Sequence, residues 1–157
     1  MKKRRRQQAG FTLVEIIVAF TIMMLLSAMA VPLARGRVRR DRERELRYAL
    51  REIHTAIDKY KDAADRGEFG QIKADTEGYP ENLEVLVEGV KLATGDKKVK
   101  FLRRIPRDPL MKSTDWGIRS MQDDPKSPGG GGAGKHVFSV YTKSTEKAAD
   151  GTAYAEW

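Results

Sequence analysis

Glu15 is the residue whose type and position most clearly predict chemistry, because it places a carboxylate inside an apolar stretch. Residues 11–34 run for 24 positions with Glu15 as their only charge and Pro32 as their only strong helix breaker. A carboxylate in hydrocarbon is unfavourable unless it is paired. The pattern therefore predicts a functional role for Glu15, together with a cationic partner.

A second candidate is the run GGGGAGKH, which has the spacing of a phosphate-binding loop with Gly129, Gly134 and Lys135 in register. His136 stands where a Ser or Thr would hold magnesium. The following residues, VFSVYTK, predict a strand where the start of a helix is required. We interpret residues 127–135 as a flexible Gly-rich loop without nucleotide-binding function.

A third candidate is a nucleophilic site, which would have to combine His136 with Ser139 or Ser144 and with Asp150. The chain has only two histidines, and His136 directly follows the glycine run. A histidine in that position is poorly placed to act as a general base. We therefore predict that the protein is not an enzyme.

The net charge of +8 is concentrated at the N-terminus. Five of the 30 basic residues lie in MKKRRRQQAG, which contains no acid, and the rest of the chain carries 25 basic and 22 acidic residues. The arginine cluster in residues 35–47 has only Tyr48 beside it for stacking on bases, so nucleic-acid binding is not expected. The absence of cysteine excludes disulfides and thiolate chemistry.

Residues 11–34 are long enough to cross a membrane. The roughly 20 residues before Pro32 span about 30 Å as a helix, the thickness of a bilayer's hydrocarbon core. Three interpretations are open: a secretory signal peptide cut after the small residues SAMA at Ala30, a permanent signal anchor, or a membrane helix whose leader is cut in front of the apolar stretch. Basic residues flank the stretch on both sides, so the positive-inside rule does not decide between them.

The leader resembles the class III signal of type IV pilins and type II secretion pseudopilins. The shared features are a short basic leader that ends in Gly10, the residues FTLVE and a long apolar run. The resemblance implies that prepilin peptidase cuts between Gly10 and Phe11 and methylates the new N-terminal Phe11. It also implies a partner for Glu15, the α-amino group of Phe11 in a neighbouring subunit. The alternative is that Glu15 snorkels to the nearby interface.

Residues 35–67 predict an amphipathic stem helix. Apolar residues recur there at spacings of three and four, while the remaining positions are largely charged. Gly67 is expected to end the helix. The apolar stripe consists of Leu46, Ala49, Leu50, Ile53, Ala56, Ile57 and Tyr60.

Residues 68–157 predict a small soluble domain of helix and sheet. The segment YPENLEVLVEGV predicts a short helix with Pro80 in its first turn and Gly89 near its end. VKFLRRIPRDPL predicts an extended segment broken by prolines, and DWGIRSM and HVFSVYTK predict strands. We expect a small antiparallel sheet packed against the stem's apolar stripe. The apolar face of the short helix would comprise Leu83, Leu86, Val87 and Val90.

The soluble domain narrows the resemblance to the major pseudopilin of type II secretion. GYPENLEVLVEG, FLRRIPRDP, WGIRS, VFSVYTKS and a closing DG…W are similar to that family. The chain also lacks the cysteine pair that closes a C-terminal loop in many type IVa pilins.

Major pseudopilins of this kind commonly bind calcium in the C-terminal loop through oxygen ligands. In this chain only Asp150 matches a ligand position, while Glu146 and Glu156 do not align clearly, so calcium is a candidate cofactor rather than a firm one. The alternative is that Asp150 forms a turn with the next residue. In that alternative, Tyr154 and Trp157 anchor the C-terminus on the domain.

The resemblance implies an α+β, pilin-like subunit with a cleaved leader (1–10), a transmembrane helix and filament core (11–34), a stem helix (35–67) and a periplasmic domain (68–157). The implied function is a structural subunit of a type II secretion filament, assembled from the bacterial inner membrane to drive export across the outer membrane. The implied partners are further copies of the chain, prepilin peptidase, the assembly platform and ATPase, and minor pseudopilins. Two alternatives are a type IV pilin for adhesion, motility or DNA uptake, and an exported ligand-binding domain with a cleaved signal peptide.

Overall fold

The N-terminal half of the chain is dominated by one long helix. The computed structural model describes residues 11–70, 76–124 and 136–157, without the side chains of residues 30–35. Helix α1 spans Leu13–Asp65, so the apolar segment and the stem follow one another on the same helix. Contacts within the chain group it into two units, Met1–Asp41 and Arg42–Trp157.

Helix α1 ends in a glycine motif, as the sequence predicts. Gly67 has a φ of 69°, which glycine adopts without strain. Its N–H donates to the carbonyl of Ala64 at 2.9 Å, and the N–H of Glu68 donates to the carbonyl of Ala63 at 3.0 Å. These two bonds form a Schellman motif that satisfies the last carbonyls of the helix.

The apolar stripe of the stem lies at the centre of the core. All seven of its residues are buried, with exposures of 0–8%. Burial of one Leu or Ile side chain contributes about 1.5–3 kcal/mol, so this face is a main source of the stability of the second unit. The stripe clusters with Leu83, Leu86, Leu102, Trp116, Val137, Val140 and Tyr154.

The short helix α2 spans Leu83–Glu88 and begins later than predicted. Asn82 is its N-cap, and the Asn82 side-chain oxygen accepts a hydrogen bond from the N–H of Val85 at 3.0 Å. Pro80 therefore lies before the helix, and its predicted place in the first turn is wrong. The reason is that the Asn82 side chain satisfies a free N–H of the first turn, so the helix starts directly after Asn82 and not at Pro80.

The predicted antiparallel sheet domain is confirmed, with its strands arranged as two pairs. Strand β1 (Val90–Lys91) pairs with β2 (Lys98–Val99), and β3 (Gly117–Arg119) pairs with β4 (Ser139–Tyr141). The strands predicted in DWGIRSM and HVFSVYTK correspond to β3 and β4. Val90, predicted on the face of α2, begins β1 instead, because α2 ends before Gly89.

The segment between β2 and β3 forms neither a helix nor a strand, and contacts with other parts of the domain hold it in place. The carbonyl of Leu86 accepts hydrogen bonds from the N–H groups of Phe101 and Leu102, both at 2.9 Å. Phe101 also packs with Tyr60 and Phe69, with ring centroids 5.5 Å and 5.9 Å apart, respectively. These contacts connect this segment to both helices.

Candidate assembly site

The N-terminal part of α1 presents a continuous apolar surface. Its large apolar side chains are 47–80% exposed. Soluble monomers rarely expose a contiguous apolar patch of this kind, so the surface indicates burial against lipid or against other helices. The exposed residues are Phe11, Leu13, Val14, Ile16, Ile17, Val18, Phe20, Ile22, Met23, Met24, Leu25, Leu26 and Met29.

Polar groups in this segment find hydrogen-bond partners inside the helix itself. The hydroxyl oxygen of Thr12 accepts from the N–H of Glu15 at 3.3 Å, and the Thr12 carbonyl accepts from Ile16 at 3.2 Å. Thr12 is therefore the N-cap of α1. The hydroxyl of Thr21 donates to the carbonyl of Ile17 at 2.8 Å. Polar groups in an environment without water need hydrogen-bond partners within the protein, and these bonds supply them.

Glu15 lies in the first turn of α1. Thr12 and Glu15 have the T-x-x-E spacing of a capping box, a feature that our sequence analysis missed. A first-turn carboxylate is stabilised by the positive end of the helix dipole. Phe11, the predicted first residue after cleavage, is 80% exposed, and Gly10 lies outside the described residues.

Within the described part of the chain, no helix combines the length and the apolar character needed to span a bilayer.

Asp150, the predicted calcium ligand, bonds within its own turn. Its Oδ1 accepts from the hydroxyl of Thr152 at 2.7 Å and from the Thr152 N–H at 3.0 Å. These two bonds lower the pKa of the Asp150 carboxyl, the hydroxyl having the larger effect. In residues 11–70, 76–124 and 136–157, no group of three or more His, Asp or Glu side chains is placed to hold a metal ion. Calcium binding stays a prediction.

The C-terminus is anchored on the stem, in agreement with the alternative interpretation of this region. The hydroxyl of Tyr154 donates to Oε1 of Glu43 at 2.8 Å. The guanidinium carbon of Arg47 lies 4.2 Å from the centroid of the Trp157 ring. The Trp157 indole N–H donates to the hydroxyl of Thr152 at 3.1 Å. The last residues are therefore tied to the stem and to the Asp150 turn.

The residues considered for a nucleophilic site have other partners in the structure. Nε2 of His54 lies 3.2 Å from Oγ of Ser139 and accepts from the N–H of Val140 at 3.4 Å. His136 is buried and stacks on Tyr79, with ring centroids 5.6 Å apart. Ser139 is therefore a partner of His54 and joins β4 to the stem.

The predicted Gly-rich loop, residues 127–135, lies outside the described residues. The chain continues from His136 into β4 (Ser139–Tyr141). The residues after Lys135 therefore form the predicted strand, and not the helix that a phosphate-binding loop precedes.

Comparisons with known proteins agree with the family resemblance that the sequence shows. A family model described as the prokaryotic N-terminal methylation motif matches residues 5–31. Type II secretion system core protein G of Pseudomonas aeruginosa is 31% identical to this chain over 112 residues, which cover 68% of this chain and 70% of that protein. The chain belongs to the type II secretion core protein G family. No solved structure matches it.

Membership of this family makes the chain a pseudopilin, a structural subunit of the type II secretion system. The long N-terminal helix followed by a small α+β domain agrees with the pilin-like fold that the sequence predicts. The motif and the relative also indicate inner-membrane anchoring and assembly into a filament. The relative favours the secretion pseudopilin over a type IV pilin, and the motif, which both kinds of subunit share, argues against an exported ligand-binding domain.

Proposed function

We propose that this pseudopilin is cut between Gly10 and Phe11, is held in the inner membrane by residues 11–34, and then enters a periplasmic filament that drives protein export across the outer membrane. The observation that carries the proposal is the exposed apolar surface of residues 11–29. That surface needs lipid before assembly and neighbouring helices after it. The subunit acts mechanically and has no enzymatic activity of its own.

Glu15 is the proposed alignment residue of the filament. Cleavage creates a cationic α-amino group on Phe11, and methylation leaves that group basic. Pairing this group with Glu15 of a neighbouring subunit brings opposite charges together inside hydrocarbon, where each alone is unfavourable. Until the partner arrives, the first-turn N–H groups and the helix dipole stabilise the carboxylate.

Orientation and partners follow from the same proposal. The N-terminus is cytoplasmic before cleavage, the membrane is crossed once, and residues 68–157 lie in the periplasm. Prepilin peptidase, the assembly platform with its ATPase, and minor pseudopilins are the proposed partners. Calcium near Asp150 is a proposed ligand that would hold the C-terminal turn during assembly.

A secretion assay in the native host tests the function. Deleting the gene should leave the secreted enzymes of the type II system in the periplasm, and the wild-type chain should restore their release into the medium. Ile17→Lys, which places an unpaired charge on the apolar surface, should not restore release. Glu84→Gln, on the exposed side of α2, is the matched control and should restore it.

Three other results would assign a different function. Normal secretion with loss of surface pili would favour a type IV pilin for adhesion or motility. Normal secretion with loss of DNA uptake would favour a pilin that serves uptake. Full function of a chain exported without residues 11–30 would favour a soluble ligand-binding domain.

A further inference from the structure

A run of arginines follows the apolar segment before any acid occurs. Residues 35–40 read RGRVRR, and the first carboxylate after Glu15 is Asp41. Along a helix, Arg37 lies about 4.5 Å and Arg40 about 9 Å beyond the end of the apolar segment at residue 34, whereas Asp41 lies about 10.5 Å beyond it. The headgroup layer on each side of a bilayer is about 5–8 Å thick. Arg37 therefore lies at headgroup depth. Side chains on a helix lean towards its N-terminus, so the long side chain of Arg40 can reach back into the headgroup layer, whereas the short side chain of Asp41 starts farther out.

Arg37 and Arg40 are accessible for a ligand. Both are exposed on α1, and their i, i+3 spacing places them on neighbouring turns of one helix face. Neither side chain forms a hydrogen bond or ion pair with another residue in the described part of the chain. Val38, which lies between them, is 52% exposed. An apolar residue flanked by long basic side chains suits the boundary between hydrocarbon and headgroups.

We propose that Arg37 and Arg40 bind the phosphate groups of anionic phospholipids in the outer leaflet of the inner membrane. The inference rests on the proposed function, because it requires residues 11–34 to lie in the bilayer. A guanidinium group offers paired N–H donors that match two phosphate oxygens. Anionic lipids also attract each basic residue close to the membrane surface.

Removal of the basic leader changes the balance of positive charge between the two sides of the membrane, and the lipid binding proposed here acts after that change. Basic residues on the outer flank oppose the positive-inside rule, and before cleavage the five basic residues of MKKRRRQQAG counter them on the cytoplasmic flank. After a cut at Gly10, the cytoplasmic flank keeps only the α-amino group of Phe11. Lipid phosphates on the outer flank then hold the subunit at a set depth until it joins the filament.

Native mass spectrometry of the membrane-extracted protein tests the proposal. Delipidated protein is mixed with phosphatidylglycerol and phosphatidylcholine at equal concentrations, and the ratio of the two bound lipids is measured. The wild type should prefer phosphatidylglycerol, and the preference should fall on the order of tenfold in R37Q/R40Q. R37K/R40K should keep part of it. R103Q/R104Q, which removes two exposed arginines elsewhere, should keep all of it.

Several results would overturn the inference. One is an unchanged preference for phosphatidylglycerol in R37Q/R40Q, and another is an equal loss in R103Q/R104Q, which would indicate net charge alone. Displacement of the lipid by inorganic phosphate at the same concentration would indicate a soluble phosphate ligand. The intact mass of the same sample separates these results from failure of the proposed function, in which the protein is absent from the membrane extract or does not begin at Phe11.

Discussion

The hydroxyl of Thr142 donates a hydrogen bond to the carboxylate of Asp108, and both residues are fully buried. The other oxygen of Asp108 accepts from the N–H groups of Leu110 at 2.8 Å and Met111 at 3.2 Å. The carboxylate therefore ties the loop before β3 to the end of β4. A carboxyl group is tolerated at this depth because each of its oxygens has a hydrogen-bond partner.

Asp108→Ala should lower the free energy of unfolding by about 3 kcal/mol, because it leaves the buried Thr142 hydroxyl and the N–H groups of Leu110 and Met111 without their acceptor. Urea denaturation of the detergent-solubilised protein, followed by tryptophan fluorescence, measures the change. Asp115→Ala is the control, since Asp115 forms an exposed ion pair with Lys143. The control should lose less than about 1 kcal/mol. Equal losses in the two variants would contradict the assigned role of Asp108.

His54 should make the stability of the domain depend on pH. Burial lowers the pKa of His54 from its ordinary value of 6.5, with partial opposition from the charge of Asp58. The unfolded chain therefore binds the proton more readily than the folded one near and below pH 6.5, so the His54 contribution is present above pH 6.5 and declines as pH falls from there towards the lower folded-state pKa. Protonation also removes the Nε2 lone pair that accepts from Val140.

Melting temperatures between pH 5 and 8 test this dependence, and we expect a lower value at pH 5 than at pH 7.5. In His54→Gln the side-chain oxygen still accepts a hydrogen bond but does not titrate, so the slope with pH should become smaller. A variant with the same slope as the wild type would assign the dependence to other groups.

Gly117 is required by the ring of Tyr141, its cross-strand partner. A Cβ atom at Gly117 would lie 2.2 Å from Cζ of that ring. Gly117→Ala should therefore destabilise the domain by about 2 kcal/mol. Adding Tyr141→Ala should cost less than the sum of the two single changes, as a double-mutant cycle can measure. Gly95→Ala, which meets open space, is the control, and additive losses would argue against the contact.

Local patterns predicted the helical elements better than the pairing of the strands. The stripe from Leu46 to Tyr60 was predictable because a 3.6-residue period records which face is buried. The end of α1 was predictable because Gly67 offers a backbone conformation that other residues avoid. The start of α2 was misplaced because Pro80 was given more weight than the asparagine that caps the helix.

Long-range contacts explain what the sequence could not show. His54 and Ser139 are 85 positions apart, and their contact depends on β4 packing against the stem. The division of the strands into two pairs likewise depends on tertiary packing, because β-propensity does not specify a partner. In the N-terminal segment, by contrast, Glu15 stood out because its charge contradicts its apolar surroundings, a local property.

Glu15→Gln should reduce filament formation about tenfold or more, because it removes the charge that pairs with a neighbouring α-amino group. Cleavage and membrane insertion should be unaffected. Fibres sheared from cells that overproduce the system, quantified by immunoblotting, measure the effect, and processed subunit in the membrane fraction is the internal control. Glu15→Asp should keep partial assembly. Wild-type fibre yield from Glu15→Gln would show that this charge does not align subunits.

We propose that this chain is the precursor of a membrane-held filament subunit, and the identity of its mature N-terminal residue is the sharpest test. Intact mass and N-terminal sequencing would be measured on protein extracted from membranes of cells with and without prepilin peptidase. We expect a chain that begins at methylated Phe11 and occurs only when the peptidase is present. A chain that begins at Val31, or a leader that stays attached in the presence of the peptidase, would contradict it.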